Sequence, residues 1–286
     1  TLSKINNESL SLFLKYGYIP SPNSIYKGIK KLEPGTILRV SLNNHQSQDK
    51  YWDACEIAKK GFESPFNATL TEVTNNLEEA LKKTISKQMI ADVPLGAFLS
   101  GGIDSSTVVA LMQTQSSRAI KTFTIGFIED GYNEAEFANS VAKHIGTDHT
   151  ELYVSSQDAL DVVPKLPNLY CEPFADSSQI PTFLVSALAR QHVTVSLSGD
   201  GGDEIFCGYN RYLFADKLWK GLKNTPPALR KLVGKSVQSF PDSVWRKAFK
   251  FLNSITSSKL PTPSAPILTA SVFPIFLVKL PFTSNT

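Results

Sequence analysis

Cysteine is scarce. Cys55, Cys171 and Cys207 are the only three in 286 residues. They cannot all pair and none forms a Cys-x-x-Cys, which argues against a disulfide framework or a structural zinc site and fits a reducing cytoplasm. A charge excess is missing too. Lys plus Arg total 29 against 26 for Asp plus Glu, a formal net charge of +3, too little to imply a nucleic acid or other polyanion as partner. No membrane span is expected either. The most apolar stretch, residues 265–278, is 14 residues long and interrupted by Pro266 and Pro274, where a spanning helix needs about 20. There is no initiator Met, basic n-region or apolar h-region ahead of the first element, so Thr1 is expected to open a fragment rather than a secreted chain. Without a secretory route the sequons at Asn7 and Asn67 carry no meaning.

What is present is globular: 42% hydrophobic and 19% charged residues, in a length suited to one large or two modest domains. Residues 260–286 break that pattern, with Lys279 the one charge in 27 residues where the average composition gives about five. Turn residues punctuate the first 55 positions, with an alternating strand at 36–40, and 59–67 has the composition of a linker. Leu70, Val73, Leu77, Leu81 and Ile85 recur at helical spacing, with Thr69 or Thr71 as N-cap and Glu72 in the first turn. An alternation follows: strands at 93–99, 121–127, 149–154 and 193–197, and helices at 104–113, 133–145, 158–165 and 180–190. This predicts an α/β fold, a parallel twisted sheet with helices on both faces. Ligands of such sheets sit at the carboxyl ends of the strands.

Two clusters fall at those ends. Ser100-Gly101-Gly102-Ile103-Asp104-Ser105-Ser106 joins an apolar strand to a helix. Its glycines permit a tight turn and close approach of a ligand. Its N–H groups and those of the first helical turn suit an anion, and three serines add hydroxyls. A lysine is missing, so this is not the G-x-x-x-x-G-K-[ST] loop. The similar Gly234-Lys235-Ser236 fails because Leu229 stands where the first Gly belongs. Asp104 would repel phosphate unless Mg²⁺ bridges them; its other reading is a helix N-cap. The second cluster, Ser198-Gly199-Asp200-Gly201-Gly202-Asp203-Glu204, also follows a β-branched strand. Its acidic residues either hold a cation or favour a helix N-terminus. On one sheet edge, Asp104 and Asp203 would face each other across a phosphate-bearing pocket.

The first cluster resembles the signature of the ATP-pyrophosphatase (PP-loop) superfamily, whose fold is adenine nucleotide alpha-hydrolase-like. The second, with Phe206, Gly208 and Tyr209 after it, resembles the synthetase domain of the glutamine-dependent asparagine synthetase family. Residues 122–127, Tyr132-Asn133-Glu134-Ala135 and residues 145–149 agree as well. The resemblance runs from about Glu8 to Asn253. It implies that ATP and aspartate form β-aspartyl-AMP and pyrophosphate, after which ammonia, from glutamine in the whole enzyme, gives asparagine and AMP. Ser100, Gly101, Gly102, Ser105 and Ser106 would hold pyrophosphate, and Asp104 and Asp203 would share Mg²⁺. Backbone groups of Leu99, Ile125 and Gly199, near Ser198, would read adenine. Asp200 stands where the family usually has Glu, at a position implicated in forming or consuming the acyl-adenylate. Glu134 and Glu204 are further acidic candidates.

Other residues read as structural. His144 and His149 suit strand-edge polar positions better than a metal site, Cys207 suits packing, and Phe206, Tyr209, Tyr212 and Phe214 suit a core or pocket wall. The resemblance implies three segments: 1–55, a β-rich end of a glutaminase domain; 56–255, the synthetase domain; and 256–286, a Pro-rich tail that a frameshift would explain. No glutaminase nucleophile is assigned, and the family's later lysine and Arg-x-Pro-Phe-Leu-Asp segment have no match. Two alternatives stay open: an adenylating amidotransferase for a sugar acid, peptide or β-amino acid, or a nucleotide-binding remnant without turnover. Partners are small molecules, with no nucleic acid or membrane; a homodimer stays open.

Overall fold

The computed structural model describes residues 4–128, 134–227 and 229–230. Tyr132 and Asn133, the Gly234-Lys235-Ser236 segment and the tail from 256 lie outside the described residues. The elements in order are α1 (Asn7–Tyr16), β1 (Thr36–Val40), β2 (Gln46–Lys50), α2 (Ala54–Glu63), α3 (Leu70–Gln88), β3 (Leu95–Phe98), α4 (Ile103–Thr114), β4 (Lys121–Phe127), α5 (Ala135–Ile145) and β5 (Asp148–Val154). They continue with α6 (Ser156–Val162), a short 3₁₀ turn, α7 (Leu166–Leu169), α8 (Gln179–Ala189), β6 (Val195–Leu197), α9 (Gly202–Phe206) and α10 (Asn210–Leu222). They fall into two units: one holds the sheets, through Gly208, and the other holds α1 and α10.

Strands β5-β4-β3-β6 form one parallel sheet in that order. The chain steps outward from β3 to β4 to β5, then returns through α6, α7 and α8 to place β6 on the other side of β3. The order therefore reverses between β3 and β6, the place where open α/β sheets bind ligands beyond the strand ends. The pleat sends successive side chains to opposite faces. Ala97 and Leu99 pack with Ile85 of α3, Val109 and Met112 of α4, and Ala138 and Ala142 of α5. Phe123 packs with Leu188, Ala189 and Val193, and Phe98 joins that second cluster. Helices thus cover both faces, as expected. Each fully buried large apolar side chain contributes about 1.5–3 kcal/mol.

Local chemistry sets the boundaries. Thr69 accepts from the Glu72 N–H at 3.3 Å while the Glu72 carboxylate accepts from the Thr69 N–H at 2.8 Å, a reciprocal cap that starts α3. Only its later turns join the core: Ile85 is buried, whereas Leu70, Val73 and Leu77 are exposed. Gly146 ends α5 in the left-handed region, at φ 80°.

Three expectations need correction. Residues 59–67 are not simply a linker, because α2 runs to Glu63. Asp53 starts it by accepting from the N–H groups of Cys55 and Glu56 at 2.8 and 3.2 Å. Its Ile57 and Phe62 are exposed, so no buried stripe marks it in the sequence. Cys207 is exposed rather than packed. Phe206 and Phe214 are exposed too; α9, which carries Phe206, is a single short turn that buries no residue. The amino-terminal segment holds helix α1 and the antiparallel β1–β2 hairpin, whose register pairs Thr36 with Lys50. Among the described residues no helix is long and apolar enough to cross a membrane.

Cys207 ends α9 at φ 58°, ψ 38°, and the Gly208 N–H donates to the Asp203 carbonyl at 3.0 Å. A side chain is strained in that region and glycine is not. Cys207→Gly should therefore raise the unfolding free energy by about 0.5–1 kcal/mol, after the entropy that glycine adds to the unfolded chain. Chemical denaturation checks it, and a lowered midpoint would contradict the strain.

Candidate functional site

The turn after β3 is built by its serines. The Ser105 hydroxyl is 2.9 Å from that of Ser100 and accepts from the Ser100 N–H at 3.2 Å. The Ser100 hydroxyl accepts from the Gly102 N–H at 3.3 Å. Gly101 sits at φ 79°, and a Cβ there would come within 2.7 Å of the Ala138 nitrogen and 2.8 Å of the Phe137 carbonyl carbon. The first turn of α5 is therefore the wall against which this loop is shaped.

Asp104 does not cap α4. The N-cap is Gly102, which offers no side-chain cap, and Asp104 lies inside the first turn. Its carboxylate is left for another duty. A Cβ built on Gly202 would strike that carboxylate, and one built on Gly199 would lie 2.7 Å from the Ser105 nitrogen and 2.9 Å from the Asp104 carbonyl carbon. The loops after β3 and β6 thus touch backbone to backbone, with Asp104 against the residue that precedes Asp203. The Ser198 hydroxyl donates to the Asp200 carboxylate at 3.0 Å and accepts from the Asp200 N–H at 3.4 Å. Asp200 is exposed.

The remaining expected residues differ in placement. The Leu99 N–H donates to the Phe123 carbonyl at 2.9 Å, which ties the residue after β3 to β4. Ile125 lies two residues past the last β3–β4 pair, Phe98 with Phe123. Glu134 immediately precedes α5 without a side-chain cap and is exposed, one turn from the residues that back Gly101. Glu204 is exposed in the first turn of α9 beside Asp203. The Ser106 hydroxyl is buried and has no hydrogen-bond partner among the described residues, and the residue lines a cleft of about 500 Å³ between α4 and α5.

The donors suit magnesium of the kind that keeps its waters and substrate phosphates: one or two carboxylates beside hydroxyls and N–H groups, rather than a closed protein cage. Among the described residues no three or more His, Cys, Asp or Glu side chains converge on one point. Asp104, free of capping, fits that role.

Sequence reasoning assigned nothing to Asn139 and Glu151, which meet beside His149. The His149 Nδ1 lies 2.8 Å from the Thr122 hydroxyl and its Nε2 is 3.7 Å from a Glu151 carboxylate oxygen. Burial lowers the His149 pKa, outweighing the opposite pull of Glu151 and Thr122. The neutral ring is therefore favoured in the fold. As pH falls below about 6.5 the unfolded chain takes up this proton first, and stability drops until the folded ring is protonated too. His149→Gln should flatten this part of the profile, measured as melting temperature between about pH 7.5 and 5. An unchanged slope would contradict the assignment.

Comparison with known proteins agrees on a family. Residues 76–266 match the asparagine synthase family. A Methanocaldococcus jannaschii protein provisionally named asparagine synthetase (glutamine-hydrolyzing) 2 is 39% identical over 214 residues, covering 73% of this chain and 39% of that protein. Asparagine synthetase (glutamine-hydrolyzing) 1 of Bacillus subtilis is 30% identical over 230 residues, covering 80% and 35% respectively. The chain thus spans less than two fifths of these relatives. Among solved structures, an NH3-dependent NAD synthetase from Campylobacter jejuni aligns with a TM-score of 0.35 and 13% identity over 48% of this chain and 60% of that one, a likeness too slight to bear on function.

Proposed function

The chain belongs to the asparagine synthase family, and from that membership we propose that it carries the ATP-dependent amide-ligase chemistry of a cytoplasmic asparagine synthetase. In this reading an aspartate side-chain carboxylate oxygen attacks the α-phosphorus of ATP. The bond to the β-phosphate breaks, pyrophosphate leaves, and β-aspartyl-AMP forms. Ammonia then attacks the acyl carbon, loses a proton, and AMP departs. The observation that carries the proposal is the contact between the two loops, which sets Asp104 against Gly202 and Gly199 against Ser105.

The chain's own groups have separable duties. The Gly101 N–H, the Gly102 N–H once it leaves the Ser100 hydroxyl, and the hydroxyls of Ser100 and Ser105 donate to the departing pyrophosphate, where charge builds as the bond breaks. The carbonyl of Leu99, with backbone groups of Ile125 and Gly199, reads the adenine edge. Asp200, held by Ser198, faces the acyl group and orients it for ammonia. Asp104 and Asp203 would hold Mg²⁺, which supplies charge neutralisation at the phosphates.

The test is acid-dependent exchange of radiolabelled pyrophosphate into ATP. Aspartate should support it. Exchange that requires a sugar acid, peptide or β-amino acid in place of aspartate would reassign the acceptor. No exchange with any acid, from folded protein that binds ATP, would leave a nucleotide-binding remnant and overturn the ligase reading.

A further inference from the structure

The side of the phosphate turn away from Asp104 raises a question of support. Gly101 rests on Phe137 and Ala138, at the start of α5. That helix turn must hold its place for the pyrophosphate donors to hold theirs. The next residue, Asn139, reaches the other way and donates through its side-chain amide to Glu151 of β5. The same carboxylate accepts from the Tyr153 hydroxyl at 3.1 Å.

Glu151 is itself anchored. Its side chain is only 17% exposed and that of His149 beside it only 9%. His149 is tied through Nδ1 to Thr122, whose hydroxyl is also 2.9 Å from that of Thr147. Thr122 is wholly buried in β4. Polar groups thus line the way from the sheet interior through the edge strand to α5, with one gap: His149 Nε2 has no hydrogen-bond partner among the described residues and faces Glu151 across 3.7 Å as a charge contact only. They end one residue from the backbone that shapes Gly101. Burying a carboxylate costs several kcal/mol unless hydrogen bonds offset it. The apolar contacts of Ala138 and Ala142 already fix α5 to the sheet, so adhesion alone leaves this polar expense unexplained. What the Glu151–Asn139 bond adds is rotational and axial registry of the first turn, because a hydrogen bond is directional and alanine packing is not.

We infer that Glu151 is a positioning residue for the phosphate turn, acting through Asn139 and the first turn of α5 on Gly101. The inference rests on the proposed nucleotide site, deepening it without touching substrate itself. Removing the tether lets that turn shift, and the N–H donors of the Gly101 turn lose their aim at the β- and γ-phosphates. Small misplacements of positioning groups cost large factors in rate or binding.

The experiment compares Glu151→Ala, Glu151→Gln, Asn139→Ala and the Glu151→Ala/Asn139→Ala double variant in pyrophosphate exchange at saturating aspartate, with equilibrium binding of ATP alone in parallel. Glu151→Ala should raise the KM for ATP and pyrophosphate about tenfold and weaken ATP binding by a similar factor, with the maximal rate changed less than about threefold. Glu151→Gln keeps an acceptor for Asn139 and should restore both constants to within about threefold of the parent. Asn139→Ala should match Glu151→Ala, and the double variant should be no worse than either, since both cut one tether. A lower maximal rate with unchanged KM and ATP affinity would mean lost folded enzyme and would overturn the inference, as would additive single effects. Parent protein that binds ATP but exchanges with no acid defeats the ligase reading alone, and the binding comparison still decides the role of Glu151.

Discussion

Asp104→Asn and Asp203→Asn should each lower pyrophosphate exchange about 10³-fold or more, the scale on which removal of one aimed electrostatic contact slows an enzyme. The change is isosteric and removes only charge. Neither carboxylate has an ion-pair partner among the described residues, and Asp104 is not needed as a cap. The loss should therefore fall on catalysis while the melting temperature holds. Exchange assays over a magnesium titration, with calorimetry alongside, separate the two effects. Full exchange in either variant would remove that residue from the phosphate site.

Gly199→Ala should be nearly as damaging for a different reason. A methyl group there would sit 2.7 Å from the Ser105 nitrogen and 3.0 Å from its Cα, against helix backbone that cannot swing aside. The loop after β6 must lift away from the loop after β3, at about 1–3 kcal/mol of overpacking. The separation also parts Asp104 from Gly202. We expect exchange to fall at least about 100-fold. Gly61→Ala is the control, because nothing lies within 4 Å of its Cβ position in α2; it should stabilise by about 0.5–1 kcal/mol and leave exchange alone. Exchange at the parent rate in Gly199→Ala would mean that the two loops need not touch.

Strands β3 and β6 were legible as short apolar runs followed by glycine-rich turns. Lys121–Phe127 was read to the residue, and the Thr69–Glu72 cap gave α3 its start. Elements that bury little were not legible. All five residues of β2 are exposed, so no alternation marks it; it exists because the turn from Ser41 to His45 returns it to β1. Helix α2 escaped for the same reason. The two glycine-rich loops were visible as motifs, but their contact follows from β6 returning beside β3, which no local pattern encodes. The Asn139–Glu151 tether was invisible, since it pairs ordinary polar residues 12 positions apart. Asp104 stayed ambiguous between cap and ligand until Gly102 proved to occupy the capping position.

The claim that joins these observations is that the paired loops activate a carboxylate by adenylation. The direct measurement uses aspartate whose side-chain carboxylate carries heavy oxygen, turned over with ATP, magnesium and ammonia, with the products read by mass spectrometry. Adenylation predicts one labelled oxygen transferred to AMP for each asparagine formed, and unlabelled pyrophosphate. Label in inorganic phosphate with ADP as the other product would mean attack at the γ-phosphorus, and would contradict the account.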